Sequence, residues 1–330
     1  MKKLARTLVA SVAALSIAAA GTACNRESAE GTVVGYSTYT VSNPFFAGMQ
    51  KGLDTGTQER GYELITTNAN GEPNQQVSDI QNLLNRGVKY IVLSPSDGRA
   101  LSPALQAAKD KGVPVIAVAD SVEFDITSTV NLDNVAAGQM AADQIVQHLT
   151  EINGSPRGNV VNITGLTGTP SAQARNKGFV DELGKYPDIR IVATQDGGYD
   201  TEVSNRVMND VLQANPQIDA VFGGNDAQAV GISAAIQTAG RFVPVGQPGH
   251  IYVIGIDGSK PAIDNVRNGV QDASISQNPI KMMERATELI AELEAGEEIP
   301  ANVVYPAQLI TLENIDSQEV ADYGIWSSEV

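Results

Sequence analysis

The sequence predicts an α/β protein built from two doubly wound lobes, each a parallel sheet covered by helices. Three observations carry this. From residue 31 onward, short Val/Ile-rich runs alternate with longer amphipathic stretches, the signature of βαβ units. There are more strand-like runs than one small sheet with short connections can hold. The two halves also repeat one pattern: a strand, a turn containing Asn, then a helix.

Taken in order, strands are read at 32–38, 62–67, 89–93, 113–118 and 129–132, then at 159–164, 190–194, 220–223, 252–256 and 273–276. Runs such as Tyr90-Ile91-Val92-Leu93 suit strands buried on both faces. Helical spacing fills most gaps, for example at 75–86, 100–111 and 135–149. The punctuation agrees. Asn43-Pro44 offers an N-cap followed by Pro at the first helical position. Asp97 and Asp226 are placed to cap later helices, and Gly61, Gly87 and Gly112 stand where helix C-caps are expected. The irregular stretch 120–128 precedes a crossing between lobes. Two more crossings are expected near Gln277-Asn278 and Pro306-Ala307, because 303–315 must return strands to the sheets. The expected partition is therefore 31–131 plus 279–306 in the first lobe and 132–278 plus 307–330 in the second.

The first residues are not part of this fold. Met1-Lys2-Lys3-Leu4-Ala5-Arg6 is a basic start, 7–20 is apolar and Ala-rich, and Gly21-Thr22-Ala23 supplies small residues before a cleavage point, which reads as a secretory signal over 1–23. The next residue, Cys24, is the single Cys of the chain. A Cys directly after small residues resembles a bacterial lipobox, although Gly21 stands where Leu is usual, and implies a lipid on Cys24 with 24–30 as a tether. The ordinary alternative is a plain signal peptide with Cys24 as a bystander; a lone thiol in an exported protein favours the lipobox. The expected location is the cell envelope, lipid-anchored.

The 330 residues are 42% hydrophobic and 18% charged, enough to bury the cores of two domains. Loss of the leader's three cations takes the net charge from −16 to −19, which argues against a nucleic-acid partner and reads as a solubility feature. There are two His, His148 and His250, neither in a triad or zinc pattern. No spacing singles out a carboxylate pair for acid/base work. Gly165-Leu166-Thr167-Gly168 opens a helix after a strand but lacks a phosphate-loop spacing and reads as a βα turn. The expectation is a non-enzyme without cofactor or metal.

The candidate site residues all stand where a strand ends and a helix begins. They are Asn43, Phe45 and Phe46 after the first strand, Arg175 after the sixth, Tyr199 after the seventh, Asn225 after the eighth, Asp257 after the ninth and Gln277 after the tenth. Ligands of open α/β sheets bind at the carboxyl ends of strands. Aromatic planes suit the C–H faces of a sugar, and planar polar groups suit its hydroxyls. Each has a plainer reading. The two Phe suit core packing, and in a helix their rings diverge, so one touches ligand while the other packs. Arg175 suits a solvated helix, Asp257 a helix N-cap, and Asn225 a turn. Arg175 and Asp257 are also placed to pair with each other.

Tyr36-Ser37-Thr38-Tyr39-Thr40-Val41-Ser42-Asn43-Pro44-Phe45-Phe46 resembles the first motif of periplasmic ribose-type sugar-binding proteins. Gly168-Thr169-Pro170-Ser171-Ala172-Gln173-Ala174-Arg175 is similar to their second-lobe Arg motif, and Ala220-Val221-Phe222-Gly223-Gly224-Asn225-Asp226 and Val253-Ile254-Gly255-Ile256-Asp257-Gly258 resemble two more. The resemblance implies two Rossmann-like lobes joined by three hinge strands, a monomer that closes on ligand, and an ABC-type permease as partner. It carries the ligand contacts to Asn43, Phe45, Phe46, Arg175, Tyr199, Asn225 and Asp257, with Gln277 at the hinge. One departure stands out. Where the family often has Asp-Arg after its fourth strand, this chain has Ala119-Asp120. Asp120 takes the Asp role only with a one-residue shift, and the cationic fork is lost either way. The function expected is the substrate-binding lipoprotein of an ABC-type importer for a monosaccharide or polyol. The alternative is a binding component that reports an autoinducer or other small molecule to a membrane receptor.

Overall fold

The computed structural model describes residues 31–328; the expected signal segment and Cys24 lie outside the described residues. The chain runs β1 (Val33–Thr38), α1 (Pro44–Arg60), β2 (Glu63–Asn68), α2 (Pro73–Asn85), β3 (Tyr90–Ser94), α3 (Ser102–Asp110), β4 (Val115–Ala119) and β5 (Ser128–Leu132). It continues with α4 (Asn134–Asn153), β6 (Gly158–Thr164), α5 (Pro170–Leu183), β7 (Ile189–Asp196), α6 (Thr201–Ala214), β8 (Ala220–Gly223), α7 (Asp226–Thr238), β9 (Tyr252–Asp257), α8 (Lys260–Arg267) and β10 (Ala273–Ser276). It ends with α9 (Pro279–Glu294), β11 (Asn302–Tyr305), β12 (Gln308–Thr311), α10 (Gln318–Tyr323) and a single 3₁₀ turn at Trp326–Ser328.

The strands form two six-stranded sheets, ordered β11-β5-β4-β3-β1-β2 and β12-β10-β9-β8-β6-β7. Every pairing is parallel except β10 with β12. Both orders double back at their second strand pair, so each sheet has a switch point, between β1 and β3 and between β6 and β8. Helices cover both faces of each sheet, which is why central strands such as β3, β4, β8 and β9 are buried nearly throughout. Tyr36, Met49, Val92 and Ile290 pack on one face of the first sheet, and Ile80, Leu83, Ile91 and Leu101 on the other. In the second sheet, Phe179 stacks on Phe222 at 4.5 Å on one face, and Met208, Val221 and Ile232 fill the other.

Local chemistry sets the helix starts that point at the space between the sheets. Asn43 Oδ1 accepts the Phe45 amide at 2.9 Å with Pro44 at N1, and Gly61 at φ 67° ends the same helix. Asp97 accepts the Arg99 and Ala100 amides at the start of the turn before α3. Asp226 does not cap α7. Asn225 is the N-cap, in a capping box with Gln228, and Asp226 is the first helical residue with its carboxylate turned inward.

The chain passes between the lobes from β5 into α4, from β10 into α9, and from β11 into β12. The last turn departs from the expected partition, which put 307–330 wholly on the second lobe. Trp326 packs in the first lobe's core, edge-to-face on Phe45 at 6.4 Å, while its indole N–H donates to the Asp257 carbonyl of the second sheet at 2.9 Å. A large apolar ring with one polar handle suits such a bridge.

Candidate functional site

The carboxyl ends of both sheets face one cavity, and all nine residues expected from the sequence lie on its walls: Asn43, Phe45, Phe46, Asp120, Arg175, Tyr199, Asn225, Asp257 and Gln277. Tyr39, Ser94, Pro95, Val118, Ala119, Thr169 and Ser171 complete it. The aromatic side comes from the first lobe. Phe46 stands edge-on to Tyr39 at 5.0 Å and to Phe45 at 5.7 Å, and Phe45 leans on Trp326. Both adjacent Phe line the cavity, and both pack in the first lobe's core.

The polar side comes from the second lobe. Arg175 is only 4% exposed, on α5. Its place depends on close contact of α4 and α5. A Cβ on Gly138 would lie 2.1 Å from the Arg175 carbonyl, and one on Gly178 would lie 2.0 Å from that of Val135, so only Gly lets these backbones meet. That contact brings Asn134 Oδ1 to the Arg175 Nε at 2.8 Å, and Nη1 donates to the Gly224 carbonyl at 2.8 Å. Arg175 Nη1 also lies 3.7 Å from Asp257 Oδ1, and the guanidinium sits 5.9 Å from the centre of the Tyr199 ring. Fixing two guanidinium edges on protein acceptors leaves the remaining fork oriented toward the cavity at little further entropic cost.

Asp257 is the centre of this network. Gln277 Nε2 donates to its Oδ1 at 2.7 Å. Burial pushes the carboxyl up to about 6, against the lowering effect of Arg175, Gln277 and Asn225. Behind it, Asp226 accepts the Ser259 amide and the Ser274 hydroxyl, both at 2.8 Å. Burial and the charge of Asp257 push Asp226 up to about 7. Gln277 Oε1 is buried with no partner, a free acceptor in the cavity wall.

The sequence reading did not single out Tyr39, Ser171 or Asn134. Tyr39 and Ser171 stand inside two of the four quoted motifs, so their positions were visible but their roles were not. Backbone strain is the other missed signal. Of the four non-glycine residues with positive φ among the described residues, Ala119 (75°), Tyr199 (59°) and Asp257 (145°) line this cavity. Such conformations cost of order 1–3 kcal/mol each and persist at sites where the surroundings enforce them.

The remaining groups lie elsewhere. His250 Nδ1–H donates to the Val243 carbonyl (2.7 Å), its Nε2 lies 2.8 Å from Asp272, and the His148 ring stands edge-on to it, at the opposite end of the second sheet. Among the described residues no helix is long and apolar enough to cross a membrane, and no cluster of metal-ligating side chains occurs.

Residues 34–298 match the family model of the periplasmic binding protein domain. The chain belongs to this family. It is 30% identical to the ribose import binding protein of Bacillus subtilis over 279 residues, covering 84% of this chain and 87% of that one. It is 29% identical to a xylitol-binding protein of Mycolicibacterium smegmatis, covering 95% and 87%. Among solved structures, a periplasmic solute-binding protein of an ABC transporter from Actinobacillus succinogenes, with bound D-allose, superposes with a TM-score of 0.77 at 28% identity, covering 85% of this chain and 98% of that one.

Proposed function

We propose that this chain is the substrate-binding lipoprotein of an ABC-type sugar importer, holding one monosaccharide or polyol between its lobes. The observation that carries the reading is the two-sided cavity. Aromatic faces come from Tyr39, Phe46 and Tyr199, and buried, pre-oriented polar forks come from Arg175, Asp257, Asn225 and Gln277. Stacking surface plus directional hydrogen bonds matches a ligand with apolar C–H faces and a rim of hydroxyls. Relatives named for ribose and xylitol, and one with bound D-allose, support the same ligand class.

The protein's part is binding rather than turnover. Because the wall groups come from both lobes, ligand contacts are complete only when the lobes are together. Ligand therefore favours the closed population by its differential affinity for that state, and the closed monomer is what a membrane permease would receive. Two measurements test this. A thermal-shift screen of the chain from residue 31 against pentoses, hexoses, inositols and polyols should give a large shift with at least one; a ligand at a hundredfold excess over Kd stabilises by about 2.7 kcal/mol. A flat screen on folded protein counts against a polyhydroxyl ligand. For the anchor, Cys24→Ser in the full chain should release the protein from the membrane fraction; unchanged retention argues against lipidation.

A further inference from the structure

This inference rests on the polyhydroxyl reading and adds to it two residues that lie outside the cavity. We propose that Trp326 is a positioning residue for ligand binding, holding the Asp257 backbone from behind the site, and that Tyr323 supports the adjoining crossings between the lobes.

Trp326 is the single Trp of the chain and is 1% exposed. The family match ends at residue 298, so α10 and the closing 3₁₀ turn lie beyond it. The indole ring packs in the first lobe's core. Gly48 on α1 leaves it room: a Cβ there would lie 3.0 Å from the Trp326 ring and 2.7 Å from the Pro279 side chain. Phe45, a wall residue of the cavity, meets the same ring edge-to-face at 6.4 Å. The polar edge of the indole serves the other lobe, where its N–H donates to the Asp257 carbonyl at 2.9 Å. One side chain outside the cavity thus supports a wall residue of each lobe. Core filling accounts for the buried ring. It does not account for an acceptor that belongs to the backbone of a cavity residue in the opposite lobe.

What the bond fixes is a peptide plane. The Asp257 carbonyl and the Gly258 N–H belong to one peptide group. The carbonyl accepts the Trp326 N–H and, at 3.2 Å, the Gln277 amide, while the Gly258 amide donates to the Ser274 hydroxyl at 3.0 Å. Asp257 itself stands at φ 145°, a conformation that a residue with a Cβ keeps only where its surroundings enforce it. With that φ set and the following plane held at both edges, the Cα–Cβ bond has one direction. It delivers the carboxylate to Gln277 Nε2 at 2.7 Å and to within 3.7 Å of Arg175. The residues beside Gln277 are held from the same segment. The Tyr323 hydroxyl is shared between the Ser276 carbonyl (3.0 Å) and the Pro306 carbonyl (3.1 Å), on two of the three crossings, and Asn278 Nδ2 donates to the Tyr323 carbonyl at 3.4 Å. Polar groups locked in place before ligand arrives bind it at a lower ordering cost, so loosening their support weakens binding without removing a contact.

The test is titration calorimetry on the chain from residue 31 with D-ribose, D-allose, xylitol, glycerol and myo-inositol. It compares wild type, Trp326→Phe, Tyr323→Phe, Asp257→Asn and the double variant Trp326→Phe/Asp257→Asn. Trp326→Phe keeps an aromatic ring in the slot and removes the N–H; Tyr323→Phe removes one hydroxyl. Trp326→Phe should weaken binding by roughly three- to tenfold, and Tyr323→Phe by less. Because Trp326 acts through Asp257, the same substitution in the Asp257→Asn background should cost roughly twofold or less. Wild-type affinity in folded Trp326→Phe overturns the inference and leaves the polyhydroxyl reading intact. An equal loss with and without the Asp257 carboxylate makes Trp326 a structural residue and also overturns it. No binding of any of these compounds to folded wild-type protein removes the polyhydroxyl reading and this inference with it. If Trp326→Phe does not fold, Tyr323→Phe decides: a loss of affinity that shrinks in the Asp257→Asn background supports the inference, and unchanged affinity overturns it.

Discussion

Replacing Asp257 with Asn should separate affinity from stability, because this carboxylate serves one at the expense of the other. In the cleft it is 4% exposed, 3.7 Å from Arg175 and backed by a second buried carboxylate, Asp226. Burial pushes it up to about 6, so above that pH the ionised group opposes folding relative to an exposed Asp. An Asn of the same shape removes that penalty and can still pair with Gln277 through Oδ1. The ligand-free variant should therefore be as stable as wild type at pH 8, or more so by 1–2 kcal/mol, in urea titration. Affinity should move the other way. Two charge-assisted hydrogen bonds to ligand hydroxyls are worth about 1.5–3 kcal/mol each, and losing their ionic character should weaken Kd by roughly 10²- to 10³-fold in calorimetry. A variant that loses several kcal/mol of ligand-free stability while keeping wild-type affinity would refute the reasoning, since Asp257 would then be a structural residue.

The same pair gives opposite pH slopes. The folded chain holds protons on Asp226 and Asp257 that the unfolded chain releases near 3.8, so these groups make stability fall as pH rises from about 4 to about 7, while affinity, which needs ionised Asp257, rises through about 6; calorimetry in buffers of different ionisation heat should show proton release on binding, and proton uptake would contradict it. For His250, burial lowers the imidazole but the hydrogen bond and charge of Asp272 outweigh it and raise it above 6.5, a stabilisation present below 6.5 and lost as pH rises through the higher folded value; Asp272→Asn should cost more stability at pH 5.5 than at pH 8, and equal costs would leave His250 neutral. Gly52→Ala puts a Cβ 2.2 Å from the Ile280 carbonyl where α1 packs on α9, so despite the better helix propensity it should destabilise by about 1–3 kcal/mol; an unchanged melting temperature would mean the helices part freely.

Much of the fold was legible because its signals are local. Strands buried on both faces need apolar runs, and β3, β4, β8 and β9 supply them, with Gly223 closing β8 and Gly258 following β9. β11 and β12 carried no such run. Each is four residues long with mostly half-exposed positions, so the sequence showed only that the chain must return there. The swap of Asn225 for Asp226 as the α7 cap was also beyond local reasoning. Both are good caps, and the choice is made by Ser259 and Ser274, which draw the Asp226 carboxylate inward from another strand and turn.

The cavity residues divide along the same line. Arg175, Asp257 and Tyr199 were legible because a large or charged side chain at the carboxyl end of a strand has few structural uses. Ser171 and Asn134 were not, because a small polar side chain has many, and only a distant partner selects one. Asp120 shows the limit most clearly. Its sequence position offered a ligand carboxylate by a one-residue shift and announced a missing cation, but no partner in the other lobe. What replaces the cation is visible only when α5 of the other lobe arrives with an unpaired amide and a hydroxyl at 2.8 and 3.1 Å. The Asp120 carboxylate is directed across the cleft at the second lobe, and Ala119, in the left-handed region, is the residue before it. Specificity in such a cleft is set by which wall groups remain free for ligand once the lobes have joined, and that is a tertiary quantity.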